Sequence, residues 1–290
     1  GLEIVMPVDP RGKFDASAGE FAGQNVYDAN PEIIKKLQSL GALLLEQKIA
    51  HSYPHCWRCK HPVIFRATKQ WFLMIDHQGL RDKVLGAIRE DVTWVPASGQ
   101  ERISAMVGLR PDWCLSRQRY WGVPVPALVC QECKEEFFNP QTIERFAEFA
   151  AQEGSDCWFS RKVTDFIPQG LTCPKCQKGK SFAKGADILD VWFDSGVSCQ
   201  AVLKKRKELG GIPAQLYLEG SDQHRGWFQS SIIPALAIDT RPPFESVLTH
   251  GFVVDGEGRK MSKSQGNVIS PAQIIKDYGA DILRMWVASS

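Results

Sequence analysis

The sequence predicts an α/β protein built around a parallel sheet, and three observations carry that expectation. From Asp187 onward, short apolar segments ("DILDVWF", "AQLYLEG", "SVLTHGFVV") alternate with helical stretches at 223–238 and 271–288. Strand–helix alternation is the pattern of strands joined by crossover helices. The 290 residues, 43% of them hydrophobic, can bury a sizeable core and suggest roughly two domains. The 35 Lys and Arg against 33 Asp and Glu leave a net charge of only +2, so any nucleic-acid contact must come from a local patch. Apolar runs such as "ALLL" and "SSIIPALAI" fall well short of the about 20 residues that cross a bilayer. The opening lacks the charged and apolar regions of a secretory signal, and the first residue is Gly1. Both ends read as cut from something longer.

The elements follow in order. Asn30 is expected to cap a helix with Pro31 at its first position and Ile33, Ile34, Leu37 and Leu40 at helical spacing, ending at Gly41. "HPVIFRAT" and "QWFLMI" read as strands. Residues 78–108 read as two helices broken at Pro96, and Pro124 and Pro126 place the next strand at an edge or in an irregular stretch. Asn139 and Pro140 open a helix with Ile143, Phe146, Ala147 and Ala150 on one face. Ser270 and Gln273 form a capping box around Pro271.

Six of the nine cysteines fall in three C-x-x-C pairs: Cys56/Cys59, Cys130/Cys133 and Cys173/Cys176. A disulfide framework belongs to small secreted chains, so thiolate–metal sites fit better. Cys130, Cys133, Cys173 and Cys176 supply the four thiolates of a closed structural zinc site, brought together across a 39-residue gap that contains a helix. Cys56 and Cys59 are half a site: a redox pair, an apolar pair, or two ligands whose partners lie elsewhere.

The strongest signal is "GFVVDGEGRKMSKSQGNVISP". A strand enters a glycine-rich turn and then Arg259-Lys260-Met261-Ser262-Lys263-Ser264, so two lysines sit on a loop that can close over a polyphosphate. Ammonium groups there offset the charge that builds on a leaving pyrophosphate. "KMSKS" (Lys260–Ser264) matches the second signature of class I aminoacyl-tRNA synthetases. "YLEGSDQHRGWF" (217–228), "DVWFDSG" (190–196), "RPDWCLSRQRYWGVP" (110–124) and "HSYPHCWRCKHPVIFRATKQWF" (51–72) resemble the isoleucyl members. The resemblance runs over essentially the whole chain.

That resemblance implies roles. Lys260 and Lys263 would stabilise the pentavalent phosphate and departing pyrophosphate, with Ser262 and Ser264 in the same ATP-binding loop. Glu219 and Gly220 would hold the aminoacyl-adenylate, although Glu219 also suits a helix-capping carboxylate. Asp222 and Gln223 would orient ribose hydroxyls or the substrate ammonium, and His250 and Gly251 would contact adenine. Trp192 and Trp227 would wall the pocket for the branched side chain, or simply pack in the core. His224 reads as positional, because a carboxylate at pH 7 is already a nucleophile and needs no base. Arg117 and Arg119, interleaved with Trp113, Tyr120 and Trp121, suit either a single-stranded RNA end or a core strand whose arginines pair with carboxylates.

The family's first ATP signature, His-x-Gly-His, has no counterpart among histidines 51, 55, 61, 77, 224 and 250. The expected organisation is therefore the tail of an editing insertion over 1–95, re-entry over 96–128, a zinc-bearing insertion over 129–186, and the second half of a Rossmann-type catalytic fold over 187–290. The implied ligands and partners are ATP, Mg2+, Zn2+, L-isoleucine and tRNA(Ile). The expected setting is a cytoplasmic enzyme, monomeric in full-length form and without a membrane segment. The alternatives are a valyl- or leucyl-type synthetase and a zinc-ribbon nucleic-acid-binding module without catalysis.

Overall fold

A computed structural model describes residues 4–56, 58–263 and 265–289. The chain folds as two compact units, Gly1–Lys69 and Gln70–Ser290. The boundary anticipated at 95/96 thus falls inside the second unit, because residues 80–95 supply a helix and a strand to its core.

The first unit has little regular structure. Isolated bridges join Val8 to Phe14 and Lys13 to Asn25. The Tyr27 and Tyr53 hydroxyls donate to the Val63 carbonyl at 3.1 and 2.9 Å. Helix α1 (Asn30–Ser39) forms at the expected place, but Ala29 occupies the cap and Asn30 lies inside the helix. None of its apolar residues is buried, and Ala29 is the one buried hydrophobic residue among the described residues of this unit. "HPVIFRAT" forms no ladder beyond the bridge from His55 to Pro62, so the first of the two expected strands is absent.

The second unit holds β1 (Phe72–Leu73), α2 (Leu80–Glu90), β2 (Thr93–Val95), α3 (Ser98–Gly108), β3 (Trp113–Cys114), β4 (Ser116–Arg117), β5 (Leu128–Cys130), β6 (Glu136–Phe137), α4 (Pro140–Glu153), α5 (Cys157–Ser160), β7 (Phe182–Lys184), β8 (Ile188–Leu189), α6 (Val191–Gly196), β9 (Ala214–Gly220), α7 (Trp227–Ile238), β10 (Phe244–His250), α8 (Pro271–Tyr278) and α9 (Ala280–Ser289). The parallel sheet is β2-β10-β9. Its register puts Val247 beside both Trp94 and Tyr217. With a side-chain period of two, that row faces one side, and there it packs with Val84 and Ile88 of α2, Ile103 and Val107 of α3, and Phe228, Ile232 and Ile233 of α7. The other face carries Val95, Leu216 and Leu218, which are half exposed. "DILDVWF" supplies only the two residues of β8 before turning into α6, because Asp190 accepts from the Trp192 N–H at 3.1 Å and caps that helix.

A second cluster, built wholly within 128–182, joins Leu128, Phe146, Trp158, Phe166 and Phe182. The antiparallel sheet β6-β5-β7 lies beside it. Asn139 caps α4 by accepting from Thr142 N at 3.0 Å, as expected. The buried stripe is Thr142 and Phe146 with Phe149 and Ala150 against them, while Ile143 points to solvent. Lys184 donates to the carbonyls of Trp158, Phe159 and Arg161 around the end of α5, where unsatisfied C=O groups favour a cation.

Helices α6 and α7 cross at Gly196. Pro234 lies inside α7 and has no N–H to give the Ser230 carbonyl, and Gly196 packs against that carbonyl. A Cβ on residue 196 would sit 1.8 Å from the Ser230 oxygen. Gly196→Ala is expected to cost about 1–3 kcal/mol or more through overpacking, read as a lower urea midpoint at unchanged slope.

Candidate functional site

The carboxyl ends of β9 and β10 lie side by side, with Thr249 opposite Glu219 and His250 opposite Gly220. In open α/β sheets this edge is where ligands bind. Glu219 and His250 are exposed there, and the His250 Nδ1 pairs with the Gly251 carbonyl at 2.7 Å. Gly220 suits a close approach: a Cβ would meet Asp222 Oδ1 at 2.8 Å and the Phe252 ring at 3.0 Å, so either side chain would have to shift. Asp222 and Gln223 occupy the 3-10 turn Ser221–His224 that follows. The Gln223 Oε1 accepts from the Trp227 N–H at 2.8 Å, so it closes the start of α7. Its Nε2 reaches Asp222 at 3.5 Å.

His224 is 1% exposed, stacked on Trp94 and edge-on to Phe228. Its Nδ1 pairs with the Ser221 carbonyl at 2.8 Å, and burial pushes the imidazole below its ordinary value. The ring is thus tied to the turn it belongs to and packed into the core behind it.

The lysine loop is a closed hairpin. Asp255 accepts from Glu257 N at 3.0 Å, Arg259 N at 2.9 Å, Arg259 Nε at 3.0 Å and Asn267 Nδ2 at 2.9 Å. The Asn267 amide, ahead of the Arg259 backbone N–H, holds the Asp255 carboxyl down at about 2. Asn267 Oδ1 in turn accepts from Ser262 N at 2.9 Å. One amide side chain therefore links the start of the turn to the lysine segment. The Lys260 ammonium rests 3.4 Å from the centre of the Phe252 ring, and Lys263 is exposed. Ser264 lies outside the described residues.

Asp255→Ala would release those four donors at once. Hydrogen exchange of the Arg259 and Ser262 amides is expected to rise in that variant, because the turn loses its common acceptor. The carboxyl is depressed, so its contribution is present above pH 3.8, the ordinary value, and is lost as pH falls through about 2. Amide protection in this loop should therefore show no titration from this group near neutral pH.

Asp190 joins two of the sequence motifs. Its carboxylate, 6% exposed, accepts from Trp113 Nε1 at 3.1 Å and pairs with Arg117 at 2.8 Å. Arg117 thus follows the core-strand reading. Arg119, Tyr120 and Trp121 do not: the two aromatics are fully exposed at one side of a concavity of about 620 Å³. Trp192 on α6 is 44% exposed and lies 3.2 Å from where a Gly226 Cβ would sit. Trp227 stacks on Tyr217 at 4.0 Å and 8°, and its indole N–H donates to the Ser195 carbonyl at 3.0 Å. Burial pushes the Tyr217 hydroxyl up to about 12.

The sulfurs of Cys130, Cys133, Cys173 and Cys176 all lie within 4.8 Å of one another. Both knuckles turn alike, with Lys134 N donating to the Cys130 carbonyl and Gln177 N to the Cys173 carbonyl, each donor at positive φ (60° and 55°). Cys56/Cys59 has the same turn, with Lys60 at φ 63° donating to the Cys56 carbonyl at 2.8 Å. Backbone N–H groups of Lys178 and Gly179 bring the Cys176 thiol down to about 7. Four converging thiols, one receiving the donors a thiolate wants, fit a tetrahedral zinc ion.

The family described as "tRNA synthetases class I (I, L, M and V)" matches residues 14–290. The chain belongs to this family. Among curated proteins, this synthetase chain is 54% identical over 293 residues to the isoleucine–tRNA ligase of Nitratidesulfovibrio vulgaris, covering 100% of the chain and 31% of that protein. It is 52% identical over 290 residues to the isoleucine–tRNA ligase of Thermotoga maritima, with the same coverage. The chain thus spans about a third of the length of these relatives. A solved methionyl-tRNA synthetase of Mycobacterium tuberculosis with methionyl-adenylate is 18% identical over 80% of this chain and 35% of that one, at TM-score 0.47.

In this synthetase chain the structure also places residues that sequence reasoning did not single out. Phe252 lies between Gly220 and Lys260, and Asp255 with Asn267 ties the loop. "GFVVDG" and "QGN" carry all three, but nothing in their spacing says that an aromatic would hold a lysine or that an amide would bridge the turn. The Ser270–Gln273 capping box does not form, because the Gln273 side chain donates to Asp277 at 2.6 Å instead.

Proposed function

We propose that the protein containing this chain is an isoleucine–tRNA ligase, and that the chain is the part carrying the second half of its catalytic fold and a zinc-bearing insertion. The observation that carries the proposal is the 54% identity to isoleucine–tRNA ligases over the entire chain. The placement of the lysine loop next to the carboxyl edge of a parallel sheet supports it. A zinc-ribbon module without catalysis does not account for a family match over 14–290.

In the proposed reaction a carboxylate oxygen of isoleucine attacks the α-phosphorus of ATP. The bond from that phosphorus to the bridging oxygen breaks and pyrophosphate leaves, and a bound Mg2+ would offset the charge on its oxygens. Lys263 and Lys260 would reach the phosphate oxygens from above the sheet edge, on a loop that Asp255 and Asn267 keep in one piece. Glu219, Gly220, Asp222 and Gln223 would hold the adenylate from β9 and its turn, with His250 and Gly251 at the adenine side. Trp192 and Trp227 would bound the aliphatic side chain. A ribose hydroxyl of the terminal adenosine of tRNA(Ile) then attacks the acyl carbon and AMP departs. Arg119, Tyr120 and Trp121 supply exposed aromatic faces and a cation suited to that single-stranded end. Among the described residues no helix is long and apolar enough to cross a membrane.

The test is amino-acid-dependent ATP–pyrophosphate exchange by the full-length enzyme. Isoleucine should support strong exchange and valine weaker exchange, since one methylene is worth only about 1–3 kcal/mol; the isoleucyl enzyme is the stock example of that limit. Exchange with leucine or valine exceeding that with isoleucine would overturn the assignment.

A further inference from the structure

Arg102, Arg110 and Arg225 line one concavity of about 560 Å³, and no acidic residue lines it with them. Three elements converge there. Helix α3 presents Arg102, Ala105 and Met106, at the i, i+3, i+4 spacing of a single face, and its C-cap residue Leu109 follows them. The turn after α3 brings Arg110, the end of the 3-10 turn Ser221–His224 brings Arg225, and the first turn of α7 brings Gln229. None of the three guanidinium groups forms an ion pair among the described residues.

Arg110 is held in place. Its Nη1 donates to Gln229 Oε1 at 2.8 Å, and Gln229, 2% exposed, donates through Nε2 to the His224 carbonyl at 2.7 Å. The guanidinium also lies 5.2 Å from the centre of the Trp113 ring. Its Nε is buried without a partner. Burial pulls Arg110 below its ordinary value, with Asp190 opposing that only through its charge. Three like charges facing one concavity repel each other, and one of them has already given up part of its hydration. A bound oxyanion relieves both costs, and planar guanidinium forks match phosphate geometry.

We propose that Arg102, Arg110 and Arg225 form a phosphate-binding pocket that takes a backbone phosphate of the tRNA. The proposal rests on the isoleucine–tRNA ligase reading for the identity of the RNA. The pocket is contiguous in sequence with the adenylate turn, since Arg225 follows His224 directly. An RNA strand reaching the sheet edge would pass it with its backbone.

The experiment measures binding of a tRNA(Ile) transcript to the full-length enzyme from 50 to 300 mM salt, for wild type, Arg102→Ala, Arg225→Ala and Arg102→Lys. Each alanine variant should lower the slope of log affinity against log salt by about 0.7–0.9, the share of one phosphate contact. Arg102→Lys should recover most of the slope but only part of the affinity. Arg102→Ala should leave isoleucine-dependent pyrophosphate exchange unchanged. Unaltered slopes and affinities in both alanine variants would overturn the pocket. So would loss confined to inorganic phosphate binding, measured by titration calorimetry, which would assign the site to a free anion. Wild-type enzyme that neither binds tRNA(Ile) nor exchanges pyrophosphate would instead overturn the ligase reading.

Discussion

Lys263→Ala in the full-length enzyme is expected to reduce isoleucine-dependent pyrophosphate exchange by about 10²–10³-fold, the loss typical of removing one preorganised donor to developing charge. The KM for isoleucine should move little, because in the proposed role the lysine would meet charge that builds as pyrophosphate departs. Lys263 is exposed and makes no ion pair among the described residues, so its removal leaves nothing in the fold uncompensated. A change in exchange of less than twofold would sink the role. Lys260 is the more constrained of the pair, because its ammonium sits over Phe252. An exposed cation–π contact is worth only about 0.5–1 kcal/mol. That is small beside the several kcal/mol available from a phosphate in the transition state, so the ring can hold the lysine at rest without preventing its use.

The parts of this site carried by contiguous sequence are legible in the sequence itself. "KMSKS", "YLEGSDQHRGWF" and the strand before each are local patterns, and the strands and turn they predict form at β9, β10 and the loop after it. What depended on pairing over long separations was not. β2 is three residues, too short to show a period, and it joins the parallel sheet only because Trp94 meets Val247 across some 150 positions of chain. The division into compact units therefore falls after Lys69, with β2 inside the second unit. Apolar spacing in α1 and in "HPVIFRAT" reads as buried structure, yet no apolar residue of either is fully buried in the first unit, although Ile64 lies close against Gly12. The capping box at Ser270 fails for a local reason: Asp277 lies one turn on and takes the Gln273 amide first. Asn267, an ordinary loop residue by composition, becomes decisive because Asp255 and Ser262 both come within its reach.

With zinc at the four thiols as proposed, Cys173→Ser is expected to leave this site of the full-length enzyme without metal and to loosen the whole of 128–184. Cys173 is fully buried, and its sulfur lies 3.6 Å from that of Cys133 within the four-thiol cluster. The strands around it are two or three residues long and could not hold together by ladder bonds alone. Apparent zinc affinities of such sites run to about 10–16 kcal/mol, which exceeds what a core of this size supplies. Metal analysis should show one fewer zinc per chain, and hydrogen exchange should rise at Leu128, Trp158 and Phe182. Cys157→Ser is the control: that thiol is 2% exposed in the same cluster but stands outside the four, so zinc content should stay constant. Full zinc retention in Cys173→Ser would remove the four-thiolate assignment. The effect should also reach the catalytic side by a definite route. β8 returns from the insertion to pair with β4, and the next residue, Asp190, caps α6 and holds Arg117. Loosening β8 releases that cap and with it Trp192, so the KM for isoleucine should rise in the zinc-free enzyme while the lysine loop, tied by its own Asp255 and Asn267, keeps its shape.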